Sequence, residues 1–238
     1  MQKLILIAIL MLSIVGFGQW FDRNGYGNDS QTQLMLHMDG ANDGTTFTDS
    51  SPYGRAVTDT NAVTKTAIKK YTTASGYFDG AGDYLTIPDD DAWSITSKDF
   101  TVDFWAYRLD TANVSYNFSC GISGDFYDLI STIVFAGYVA RFRYTVGSVS
   151  IISIDGTKPI LENTWYHFAV VKAGNLYSLY VNGFLENSDT SYVTLNPTGG
   201  FKIGTTFGTV YMNGYIDEFR YSSFARWTKP FTPPNRAY

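Results

Sequence analysis

Cysteine occurs once in the 238 residues, as Cys120, so no intrachain disulfide can staple this chain. Glutamate is almost as scarce: Glu162, Glu186 and Glu218 are the only ones among 22 acidic residues. With charged residues at 16%, there is little material for solvated helices. Histidine appears only as His37 and His167, too few for a histidine-rich metal triad. The 17 Lys and Arg form no run or stripe, and the formal net charge is −5. The counterion release that dominates nucleic-acid affinity is therefore missing, and nucleic acid is not an expected partner. No Gly-x-Ser-x-Gly elbow and no phosphate loop occurs either.

What the chain has instead is 18 Tyr, 17 Phe and 22 Gly. Aromatic residues with Thr and Gly build strands and turns, which makes the chain all-β. Its clearest strand is Phe100–Tyr107, FTVDFWAY. Phe100, Val102, Phe104 and Ala106 point one way; Thr101, Asp103, Trp105 and Tyr107 point the other. Trp105 and Tyr107 predict that the second face is partly covered too. That combination fits an inner strand of a two-sheet sandwich.

Met1–Gly18 carries one positive residue, Lys3, and then an apolar run, Leu4–Phe17, interrupted by Ser13 and Gly16. The run is shorter than the ~20 residues that span a bilayer. Small residues at Gly16 and Gly18 predict a signal peptide cleaved before Gln19, with a membrane anchor as the competing reading. The mature chain then has no expected membrane span. Residues 19–33 read as a polar N-terminal arm and 34–238 as one domain, because no low-complexity linker divides them.

Along the mature chain, Leu34–Met38 is a compact apolar strand followed by the Asp- and Gly-rich loop Asp39–Ser51. Both histidines are expected as packed residues. The stretch Gly76–Pro88 predicts two short strands about a tight turn at Gly80 and Gly82. Asp89, Asp90 and Asp91 read as a solvated loop. Leu109–Asp128 reads as irregular loop, where sandwiches often carry binding residues. Strands are expected at Leu129–Ala136, Val139–Val146 and Ser148–Ile154. Trp165–Lys172, Leu176–Val181 and Phe184–Asn187 form a meander whose second turn is Asn182-Gly183, the type I′ dipeptide. Phe201–Thr205 and Gly214–Tyr221 are further strands, with a loop or hairpin at Phe207–Asn213. Phe224–Trp227 is expected as one helical turn before Lys229–Pro234 closes the domain.

Five segments in this order carry a family resemblance. They are the LMLHMDG…TFTDSSPYGRAV region, ASGYFDGAGDYLTIP, DFTVDFWAY, NTWYHFAVVKAGNLYSLYVNG and GYIDEFRYSSFARW…FTPP. Together they span roughly Leu34–Pro234 and resemble the LamG-like jelly rolls of the concanavalin A-like lectin/glucanase superfamily. The resemblance implies a two-sheet antiparallel jelly-roll sandwich of about 12–14 strands. It implies ligands on a concave face or loop rim, with glycan or protein binding in most members and hydrolysis in some. It also implies a structural Ca²⁺, whose ligands would be Asp39, Asp49 and Asp217, with Asp43 as a spare. The chain departs from the family at Gly40, where many relatives have another acidic residue after the Asp. A second reading of the same residues makes Asp49, with Ser50, Ser51 and Pro52, a turn-former, and Asp217 a partner for loop amides.

The superfamily's glucanases set Glu-x-Asp-x-Glu or Glu-x-Asp-x-x-Glu along one strand, because retaining hydrolysis needs two carboxyls about 5–5.5 Å apart. No such strand occurs here, so the chain is not expected to be an enzyme. A glycan needs an aromatic platform beside convergent polar groups, and Tyr127, Tyr138, Phe207 and Tyr211 lie in or near the expected loops. The expected function is a secreted or cell-surface, non-catalytic carbohydrate-binding or adhesion module whose partner is a glycan or a surface protein. One alternative is a structural or host-recognition component of a phage particle or cell surface that binds protein rather than sugar. The other is a glycoside hydrolase with an unrecognised site.

Overall fold

A computed structural model describes residues 27–238, apart from 96–97, 111–113, 135–136, 195 and 208–209. The expected signal peptide, Met1–Gly18, and most of the expected arm lie outside the described residues. The described strands begin with β1 (Thr32–Leu36), β2 (Thr58–Thr60), β3 (Val63–Lys65), β4 (Ser75–Asp79), β5 (Tyr84–Ile87) and β6 (Phe100–Arg108). There follow β7 (Ser115–Ile122), β8 (Asp125–Val134), β9 (Gly137–Val146), β10 (Val149–Asp155), β11 (Trp165–Ala173) and β12 (Leu176–Val181). The last are β13 (Phe184–Thr190), β14 (Phe201–Ile203), β15 (Thr205–Thr206), β16 (Val210–Tyr211) and β17 (Asn213–Ser222). These 17 segments exceed the expected 12–14 because β2, β3, β15 and β16 are only two or three residues long.

Two antiparallel sheets face each other, as a jelly-roll sandwich requires. One runs β13-β12-β11-β6-β17-β4-β3, with β1 also paired to β17. The other runs β10-β9-β8-β7-β14-β5-β2, and β15-β16 forms a separate hairpin. β6 sits between β11 and β17, as the alternation of FTVDFWAY predicts. Its inward Phe104 meets Phe118, Phe168 and Phe219 at centroid distances of 6.0, 5.6 and 5.3 Å. Phe201 of the facing sheet joins Phe118 at 5.3 Å and Phe219 at 5.7 Å. Aromatic edge and offset contacts of this kind add to area burial, and they tie the two sheets into one core.

Gly76–Pro88 holds two short strands about a tight turn, as expected, with β4 in one sheet and β5 in the other. The turn between them is a corner, in which Asp83 accepts the Asp79 amide at 2.9 Å and Asp79 accepts that of Ala81 at 2.7 Å. Two other expectations are corrected. Leu109–Asp128 is not mainly loop, since β7 and the start of β8 lie within it. Ser119 of β7 is buried and donates to the Thr205 carbonyl at 3.0 Å, which lets a polar residue occupy a strand interior. Phe224–Trp227 is not helical; the helical turn is a 3₁₀ turn at Asp91–Trp93, capped by Asp90, which accepts the Ala92 amide at 2.8 Å.

Candidate functional site

The strand ends of β4, β6 and β17 converge with the start of β7 and the β15–β16 hairpin. They enclose a pocket of about 340 Å³. Asp79, Arg108, Asp110, Tyr211 and Asn213 supply its chemistry. Each is placed by local structure. Asp79 and Asn213 are register partners across β4 and β17, and Gly80 takes the corner with φ +85. A Cβ at Gly80 would stand 3.0 Å from that of Asn213, so a larger residue would press on the pocket wall. The Leu109 amide donates to the Asn213 carbonyl at 3.1 Å, which locks the end of β6 to β17. Tyr211 is held on β16 by pairing with Thr205, and its ring lies against Tyr84 with centroids 6.4 Å apart.

Arg108 is almost wholly buried, its guanidinium 5.0 Å from the Tyr138 ring. Burial pulls its pKa down, and Tyr138, Asp110 and Glu162 partly offset that. The pocket therefore combines a cation, two carboxyls, an amide and an aromatic ring within one small concavity. Such a set can hydrogen-bond vicinal hydroxyls while an apolar face rests on the ring.

Of the aromatics expected near loops, Tyr211 lines this pocket and Tyr138 backs Arg108. Phe207 packs on Phe126 at 5.1 Å instead. Tyr127 is corrected to the core: it is fully buried and its hydroxyl donates to the Trp93 carbonyl at 3.0 Å. Asp79, Arg108, Asp110 and Asn213 carry no motif that sequence alone would mark. They meet only because strand ends from distant stretches do.

The expected calcium ligands lie elsewhere. Asp49 accepts the amides of Met35 at 2.9 Å, Ser51 at 2.9 Å and Arg55 at 2.7 Å. Asp39 Oδ1 accepts the hydroxyls of Thr72 and Thr73 and the amides of Thr73 and Ala74, at 2.5–3.1 Å. Burial pushes the Asp39 carboxyl up, but those bonds outweigh it and its pKa ends lowered. Asp217 Oδ2 accepts the amides of Lys70 and Tyr71 at 2.8 and 3.0 Å, while its buried Oδ1 has no hydrogen-bond partner. Burial first, then the nearby Glu218 and Asp39 charges, push Asp217 up to about 8.

Asp39 and Asp217 are thus brought within electrostatic reach of each other, and the 70–74 segment donates to both. Calcium needs six to eight oxygen ligands, several of them charged. Here Asp39 Oδ1 and Asp217 Oδ2 are turned toward N–H and O–H donors, whereas the buried Asp217 Oδ1 is left without one. Among the described residues, no three His, Cys, Asp or Glu side chains are grouped to hold a metal ion.

A second concavity of about 230 Å³ is lined in part by His37, Asp39 and Phe47. His37 Nδ1 meets the buried Glu218 carboxylate at 3.0 Å. That hydrogen bond raises the His37 pKa against the opposing effect of burial.

Comparison with known proteins agrees with the sandwich. Residues 79–228 match a laminin G-type family model described as the concanavalin A-like lectin/glucanases superfamily. The chain belongs to that superfamily. No curated protein matches it in sequence. Among solved structures it is similar to the botulinum neurotoxin serotype D binding domain, with TM-score 0.61 and 14% identity. That match covers 82% of this chain and 49% of the other, so the chain spans about half of the neurotoxin domain. It is also similar to domain 4 of a GH43 extracellular arabinanase from Geobacillus stearothermophilus, solved with arabinotriose. There the TM-score is 0.60 at 16% identity, covering 82% of this chain and 93% of that domain. A structure of botulinum neurotoxin type C, a toxin dependent on two ganglioside molecules, gives TM-score 0.62 at 12% identity, covering 82% and 48%. Among the described residues no helix is long and apolar enough to cross a membrane.

Proposed function

We propose that this domain is a non-catalytic glycan-binding module that takes its ligand in the pocket at the ends of β4, β6 and β17. The observation that carries the reading is the meeting of the Tyr211 ring with Asp79, Arg108, Asp110 and Asn213 in one concavity. Two of the similar structures are tied to sugars by their descriptions, arabinotriose for one and gangliosides for the other. This supports a saccharide as the ligand class. No Glu lines the pocket, and the glucanase strand pattern is absent, which favours binding over hydrolysis. The leader-like run supports a secreted or surface-attached module working as an adhesion or capture domain.

The test is calorimetry of residues 19–238 with arabinotriose and with a ganglioside-type sialylated oligosaccharide, alongside an assay for released reducing ends. Binding of either sugar without product, weakened about tenfold or more in Tyr211→Ala and Asn213→Ala, is expected. That is the loss of roughly one good contact of about 1.4 kcal/mol. Binding that both variants leave intact would move the site elsewhere, and product release would make the domain an enzyme.

A further inference from the structure

The outward face of the β6 sheet carries an aromatic row that the pocket does not use. Tyr77 of β4, Tyr215 of β17, Tyr107 of β6 and Trp165 of β11 stand opposite one another in register. Their ring centroids are 5.0, 5.9 and 5.4 Å apart in that order. None belongs to the core between the sheets. Tyr77, Tyr107 and Trp165 are half-buried, whereas the next row on the same face is closed off. There Trp105 and His167 are buried, the first under Tyr71 at 5.9 Å and the second under Trp227 and Phe231 at 5.9 and 5.7 Å. The covering segments therefore leave three of the four rings half-open, with Tyr215 buried between Tyr77 and Tyr107 as the link in this band.

The band leads to the pocket. Residues two apart on a strand share a face, so Asp79 follows Tyr77, and Asn213 precedes Tyr215, on the same side. Asp79 and Asn213 are walls of the pocket. Three strand spacings of about 4.8 Å make the band roughly 14 Å long, more than a single sugar ring occupies. The band is not purely apolar: the Tyr107 hydroxyl donates to Asn163 at 3.4 Å, and Lys65 Nζ lies 5.9 Å from the Tyr77 ring. Successive ring planes are inclined by 39°, 78° and 54°. A flat ribbon of sugars needs coplanar stacking partners; these rings offer facets that turn from one strand to the next.

We propose that pocket and band form one elongated site, which takes an internal stretch of a polysaccharide whose rings turn along the chain axis. This inference rests on the glycan reading of the pocket. The probes are arabino-oligosaccharides and laminari-oligosaccharides, which turn, against cello-oligosaccharides, which lie flat, each from two to six units. Calorimetry should show affinity rising with length for the turning chains, levelling once the band is filled, and little gain for the flat ones. Trp165→Ala and Tyr77→Ala should each remove about fivefold to tenfold of the affinity for five- and six-unit chains, the value of one aromatic contact. Both should weaken disaccharide binding less than binding of the longer chains, and Trp165→Phe should restore most of the loss should the alanine variants fold poorly.

Affinity independent of length, or equal in wild type and both alanine variants while Tyr211→Ala weakens it, would overturn the band and spare the pocket. No binding of any sugar by wild type would overturn both. Sedimentation showing a dimer that Trp165→Ala dissolves would assign the band to a second copy of this chain and overturn the proposal.

Discussion

Arg220 of β17 grips Asp103 of β6 through two hydrogen bonds of 3.0 Å, with both side chains fully buried. Tyr238 donates its hydroxyl to the same carboxylate, and its ring lies under the guanidinium at 3.7 Å. Burial alone would push the Asp103 pKa up, but Arg220 and His167 hold it well below the usual carboxylate range. Removing one partner strands a buried charge, which costs about 3–5 kcal/mol. Asp103→Ala should therefore lose that much in urea unfolding, and the double change Asp103→Leu with Arg220→Met should recover a large part. A single-variant loss under ~1 kcal/mol would mean that water reaches the pair.

The folded state's response to pH follows from Asp217 and His37. A carboxyl at about 8 in the fold, against 3.8 when free, binds more protons folded than unfolded between those values. Stability then falls as pH rises across that window. His37, raised above 6.5 by Glu218, acts in the same sense: its contribution is full below 6.5 and is lost as pH climbs through its folded value. Melting temperatures at fixed ionic strength should decline from pH 6 to pH 9. Asp217→Asn should flatten the decline and Glu218→Gln should remove the part due to His37. A flat profile in the unmodified protein would count against both protonation assignments.

The sandwich was legible because its signals are local. FTVDFWAY alternates with period two, and Asn182-Gly183 dictates a hairpin whatever lies around it. The corner at Gly80 was not legible as a corner. A hairpin and a sheet-to-sheet crossing need the same glycines, and only the partners of Phe78 and Leu85 tell them apart. β7 was hidden because Asn117 and Ser119 are buried polar residues, made tolerable by bonds to the carbonyls of Leu129 on the adjacent β8 and Thr205 on β15. The pocket was hidden for a related reason. Asp79, the pair Arg108 and Asp110, and the pair Tyr211 and Asn213 come from three distant stretches of the chain, and no spacing rule connects the three. Asp39 and Asp217 stood out in sequence, yet what surrounds their oxygens is set by the 70–74 segment, a stretch without a motif.

That segment bears directly on calcium. Its amides and threonine hydroxyls take up Asp39 Oδ1 and Asp217 Oδ2, so an ion would have to share or displace those bonds to gain both carboxylates in full. A melt of residues 19–238 in EDTA, repeated in millimolar Ca²⁺, should show no rise. An ion at a hundred times its Kd would stabilise the native state by about 2.7 kcal/mol, several degrees for a domain of this size. A rise of that order, abolished in Asp39→Ala, would show that the segment yields to the ion.

Gly183 is the residue on which the C-terminal segment depends. With Asn182 at φ +50 and Gly183 at φ +76, the two form the turn that closes Val181 against Phe184. The Phe231 amide donates to the Gly183 carbonyl at 3.0 Å, and a Cβ on Gly183 would fall 1.9 Å from the Phe231 carbonyl oxygen. That obstacle is backbone and cannot rotate away. Phe231 in turn stacks on Trp227 with centroids 3.9 Å apart and lies 5.7 Å from His167. Gly183→Ala should therefore cost more than the ~1 kcal/mol typical of an alanine forced to positive φ, because it also lifts this cover from the buried charges beneath. Limited proteolysis should then cut within residues 224–238 faster than in the unmodified protein, and amide exchange should accelerate at Phe231 before it does in β12. If alanine left both cleavage and exchange unchanged, Phe231 would have to shift without loosening its hold on Trp227, and the bonds from Tyr71 to Pro234 and from Tyr238 to Glu218 would suffice to keep the segment down.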